Sequence, residues 1–128
     1  MPEKKSKTDS GIANIEVIGG VIKVKVRMDV TKKDAERAFG QLLDKIRMQK
    51  KVGEPALILT DMTDVTRLSF ASRRRLLKLY SLKPSKMAFY GEIFRVELLM
   101  GCICKLVSFV RFGVFKTEIE AKKYLGVS

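Results

Sequence analysis

The chain has no histidine, two cysteines and three prolines in 128 residues, and the first two scarcities each remove a class of function. Without histidine, a tetrahedral zinc site lacks its usual donors, and carboxylates alone would have to hold any metal. The commonest general base is missing for the same reason. No nucleophile–base pair or phosphate-cradling glycine loop takes its place, so the sequence reads as non-enzymatic, with no cofactor implied. Tyr90, Asp61 and Cys102 form no recognisable catalytic set. Cys102 and Cys104 stand two apart on an expected helix. That spacing points them to different sides and excludes an unstrained disulfide, so they read as buried thiols.

Long apolar runs are also absent. Residues 12–28 are interrupted by Asn14, Glu16, the Gly19-Gly20 pair and Lys23, which no secretory signal tolerates, and the expected location is the cytoplasm. Residues 93–110 carry Arg95, Glu97 and Lys105, whereas a membrane span needs roughly 20 mostly apolar residues. No transmembrane segment is expected. A length in this range and 46% hydrophobic content suit one domain with a sizeable core.

Positive charge is what the chain has in excess, with a net charge of +12. Its distribution is uneven. Residues 20–53 hold ten basic and four acidic side chains and residues 54–91 seven and three, against three and three in residues 1–19. The field belongs to the middle of the chain. It favours acidic protein surfaces, anionic lipid headgroups or nucleic acid as partners. No aromatic interleaving or reading motif accompanies it, so specific nucleic-acid recognition is not expected.

Residues 1–10 have no apolar pattern to offset the entropy of ordering and read as a flexible basic tail, with the domain spanning residues 11–128. Residues 12–18 and 21–28 are β-rich runs around Gly19-Gly20, a strong hairpin signal. Alternation in the second run puts Lys23, Lys25 and Arg27 on one face and Ile22, Val24, Val26 and Met28 on the other. Thr31 caps a helix in which Ala35, Phe39, Leu42, Leu43 and Ile46 share a face and which Gly53 and Pro55 end. Residues 56–59 are apolar on both alternating faces, as in a central strand covered on both sides. A second helix is expected over residues 71–82, strands over 87–90 and 111–115, a third helix over 93–107, and a closing helix from Thr117 to a stop at Gly126. The order is ββαβαβαβα, an α/β domain whose later strands pair in parallel through right-handed crossovers.

Three segments carry a family resemblance. The hairpin IANIEVIGGVIKVKV, the strand, loop and helix LILTDMTDVTRLSFASRRRL, and the closing VFKTEIEAKKYLG resemble the SpoIIAA-like, or STAS, superfamily of anti-sigma factor antagonists, in its divergent branch grouped with Sec14-like proteins. The resemblance spans nearly the whole domain and implies a singly wound β-α superhelix with one sheet face incompletely covered. It also implies a regulatory protein-interaction module. Typical members carry an Asp-Ser-Ser-Gly run where the second helix begins, and a kinase phosphorylates one serine there. Here the run is Ser69-Phe70-Ala71-Ser72, with Ala71 at the phosphoacceptor position, so the usual phosphoserine switch is not expected. Ser69 or Ser72 could still take a phosphate at the free amides of a helix start; helix capping is their plainer use.

The expected partner surface comprises Asp61, Thr63 and Asp64 at the end of the central strand, with Arg67, Arg73, Arg74 and Lys78 along the basic helix. Ligands of open α/β sheets gather at such strand ends. Asp61 and Asp64 are also hard carboxylates that could hold magnesium, although Asp and Thr in DMTDVT readily close turns on their own backbone. A solvated face is the plain reading of the basic cluster, and an acidic protein its first functional one. The third helix is apolar around most of its circumference. Phe94, Leu98, Met100 and Ile103 could therefore meet a neighbouring helix, a second subunit in a homodimer, or a small lipid-like apolar ligand, as in Sec14-like relatives.

Overall fold

The computed structural model describes residues 8–66, 74, 85–92 and 112–127. Five strands form one mixed sheet in the order β1-β2-β3-β4-β5. β1 (Thr8–Ile18) and β2 (Val21–Thr31) form the hairpin, and their register closes with Ile18 opposite Val21. The two-residue turn needs positive φ at both positions, and Gly19 (+56°) and Gly20 (+81°) supply it without steric cost.

The hairpin is longer than the sequence implies. β1 begins at Thr8, inside the segment read as tail, because Thr8 pairs with Thr31 and Asp9 with Val30. Polar Thr8, Asp9 and Ser10 give no apolar signal. What holds them is the backbone ladder, together with burial of Ser10 and the close fit of Gly11 against Ala35. Residues 1–7 lie outside the described part.

Helix α1 (Lys32–Lys51) starts where expected, with the Thr31 hydroxyl accepting the Asp34 amide at 3.2 Å. It buries Ala35, Ala38, Leu42 and Ile46, with Phe39 and Leu43 packed beside them. The chain then returns into β3 (Leu57–Asp61), which pairs in parallel with β2, and β4 (Lys86–Tyr90) and β5 (Phe112–Phe115) extend the parallel sheet. Helix α2 (Glu118–Leu125) is capped by Thr117, whose hydroxyl accepts the Glu120 amide, and is ended by Gly126.

Two apolar clusters flank the sheet. On one face Ile22, Val24, Val26, Ile58, Met87 and Phe89 pack under α1. Burying a side chain such as Phe89 fully contributes about 2–3 kcal/mol. On the other face Val21, Leu59, Ala88 and Tyr90 pack against Ala121 and Leu125 of α2. Ile58 and Leu59 thus face opposite clusters, as expected of a central strand. The polar side of β2 shares its face with α2, which among the described residues leans chiefly on β3, β4 and β5. The expected second and third helices fall outside the described residues apart from Arg74, which is exposed in helical backbone.

Candidate functional site

Cross-strand register brings Lys25, Asp61 and Tyr90 into one row, since Lys25 pairs with Asp61 and Asp61 with Tyr90. Strand alternation turns all three toward the α2 face. The row lies at the carboxyl ends of β3 and β4, where the chain leaves Asp61 through a tight turn. Asp61 Oδ1 accepts the Thr63 amide at 2.9 Å and the Thr63 hydroxyl at 2.6 Å, while Oδ2 accepts Lys25 Nζ at 2.9 Å. Lys25 reaches Asp64 as well, at 3.1 Å.

The turn is pinned from below. The Met62 amide donates to the Tyr90 carbonyl at 2.9 Å and the Val65 amide to the Met62 carbonyl at 3.1 Å, with Met62 and Val65 both buried. Gly91 runs directly beneath at φ +155°, so close that a Cβ there would lie 3.1 Å from the Met62 carbonyl carbon. Thr63 and Asp64 are left exposed at the crest.

A second cluster ties α2 to the sheet. Glu118 accepts Lys23 Nζ at 3.3 Å and Lys122 Nζ at 3.1 Å, and its other oxygen accepts the Tyr90 hydroxyl at 3.2 Å. Burial pushes the Tyr90 pKa strongly upward, and the Asp61 and Glu118 carboxylates push it further, so the phenol remains a donor. Burial alone would raise Asp61, but the Thr63 hydrogen bonds and Lys25 outweigh it and hold the carboxyl below its ordinary range. Glu118 is likewise lowered, its burial outweighed by Lys122 and Lys23. For Lys25 the burial effect is downward, and Asp61 and Asp64 overcome it to raise its pKa.

Chemically this is a matched set of donors and acceptors. The Lys25 ammonium sits between the two carboxylates that a magnesium ion would bridge, and both Asp61 oxygens are already engaged. Among the described residues no group of three or more histidine, cysteine, aspartate or glutamate side chains converges as a metal site. The turn chemistry anticipated for DMTDVT is what Asp61 and Thr63 perform.

Of the expected partner surface, Asp61, Thr63 and Asp64 come together. Arg67, Ser69, Ser72, Arg73 and Lys78 lie outside the described residues, as do Phe94, Leu98, Met100 and Ile103. Lys25, Tyr90 and Glu118 are members of the site that sequence reasoning missed. Their signal is partial: alternation puts Lys25 on the polar face of its strand, but the register that sets it opposite Asp61 has no local signature.

A crystal structure of an uncharacterized protein from the DUF3478 family with a SpoIIAA-like fold, from Shewanella loihica PV-4, matches this architecture with a TM-score of 0.62. The match covers 95% of this chain and 99% of that one. The fold is SpoIIAA-like. At 20% sequence identity the likeness speaks for the SpoIIAA-like architecture alone. No family model matches the chain, and no curated protein matches it. Among the described residues no helix is long and apolar enough to cross a membrane.

Proposed function

We propose that this SpoIIAA-like domain is a non-enzymatic cytoplasmic regulatory module that presents the loop at residues 61–64, together with basic side chains such as Arg74, to a protein partner. The observation that carries the reading is the locked loop. Asp61 fixes it from inside through Thr63 and Lys25, and Gly91 supports it from below, while Thr63 and Asp64 remain exposed. A surface held in one conformation before binding loses little entropy on association. The consistent pairing of every site carboxylate with a donor supports positioning in preference to acid–base chemistry. With Ala71 at the family's phosphoacceptor position, the proposed module works without the usual phosphoserine switch.

Affinity capture from host lysate with quantitative mass spectrometry tests this, using wild type, Asp64→Ala and Arg74→Glu. A protein enriched by wild type and reduced about tenfold or more by both substitutions, as for residues central to an interface, is the expected result. If no captured protein distinguishes wild type from the two variants, the assigned surface is wrong.

A further inference from the structure

The end of the sheet remote from that loop has a composition of its own. β2 and β3 run parallel with Val21 opposite Leu57, so the hairpin turn, the C-terminal end of α1 and the start of β3 all lie at this end. α2 returns to it too, since Gly126 and Val127 line one shallow groove with Ile18, Gly19 and Val21. Five large apolar side chains are exposed among the described residues: Val17, Ile18, Met48, Val52 and Ile119. All but Ile119 are at this end, on the hairpin tip and the last turn and exit of α1. They are far from marginal, with Ile18 56%, Met48 61% and Val52 69% exposed.

Cations collect at the same end. Arg47, Lys50 and Lys51 end α1, Lys122 and Lys123 end α2, and Glu54 is the single acid from residue 47 to residue 55. Single exposed apolar residues are ordinary; four at one end of the sheet, where cations outnumber acids such as Glu54 and Glu118, stand out from that background. Apolar side chains that can enter the headgroup boundary, set among lysines and arginines, complement an anionic bilayer. We infer that the hairpin-tip end, through Ile18, Met48 and Val52 with Arg47, Lys51 and Lys123 at the same end, is a peripheral docking surface for anionic membranes. The loop at residues 61–64 would then point away from the lipid, toward a partner.

The test is co-sedimentation of the full chain with vesicles of phosphatidylcholine alone or with phosphatidylserine added. Lys51→Glu with Lys123→Glu is compared with Lys32→Glu with Lys33→Glu, an equal charge change at the opposite end of α1. Wild type should bind the serine-containing vesicles and release in high salt. The Lys51, Lys123 pair should weaken binding about tenfold or more, and the Lys32, Lys33 pair by less than about twofold. Ile18→Asp with Val52→Asp, both at exposed positions, should also lose about tenfold while keeping the wild-type melting profile. Three results overturn the inference. One is no binding to anionic vesicles, as when the patch serves an acidic protein. Another is equal losses for the two lysine pairs, which is the signature of net charge alone. The third is undiminished binding by the Ile18, Val52 variant.

Discussion

Asp61→Asn removes one charge from the loop and leaves its shape. The Asn carbonyl can still accept the Thr63 amide and hydroxyl that Oδ1 accepts now, so what is lost is chiefly the pairing with Lys25. That pair is 2.9 Å long with side chains 23% and 12% exposed. Exposed ion pairs contribute up to about 1 kcal/mol, whereas breaking a buried one costs about 3–5 kcal/mol. The Lys25–Asp61 pair falls between, and Lys25 retains Asp64, so the substitution should cost about 2 kcal/mol at neutral pH. For a domain of this size that lowers Tm by about 6–10 °C. The pH dependence is the sharper part. Because the folded pKa of Asp61 is depressed, the carboxylate's contribution is complete above the unfolded value of about 3.9 and is lost as pH falls through the lower folded value. The deficit of Asp61→Asn should therefore be full at neutral pH and shrink in strong acid. Histidine usually complicates such curves, and this chain has none. Urea denaturation followed by circular dichroism at neutral pH and at about pH 2.5 measures both limbs. A variant as stable as wild type at neutral pH, or one whose deficit persists unchanged in acid, would refute the assignment of the energy to this pair.

Gly91→Ala should destabilise by about 2 kcal/mol, because it combines a positive φ with a Cβ pressed on the Met62 and Thr63 backbone. Chemical denaturation reads the loss, and a neutral result would mean that the loop yields freely. Thr31→Ala removes the cap of α1 and should cost about 1 kcal/mol by the same measurement; no loss would show that the Asp34 amide finds water as good a partner.

The fold was largely legible because its signals are local. Gly19-Gly20 marks the hairpin turn, Thr31 and Gly53 bracket α1, Thr117 and Gly126 bracket α2, and residues 56–59 show a strand apolar on both sides. Thr8 to Ser10 escaped notice because their order comes from backbone pairing, which leaves no mark on side-chain hydropathy. The site was half legible for a related reason. Asp61, Thr63 and Asp64 are neighbours in the chain, and their turn chemistry follows from residue type. Lys25, Tyr90 and Glu118 join them through strand register and through placement of α2 on the face opposite α1, both long-range properties.

Strand order in this sheet is the same as strand order in the chain. During synthesis the hairpin, the one local pairing among the described strands, can close as soon as Thr31 has emerged. Each later pairing joins distant residues, Val21 with Leu57 and then Leu57 with Lys86, and such loop closures are what slow the folding of parallel sheets. Among the described strands no later one must insert between two earlier ones, and every addition occurs at the free edge left by its predecessor. The nascent chain can therefore lay down its sheet in one direction, from β1 to β5, with the hairpin as the template on which the rest is built.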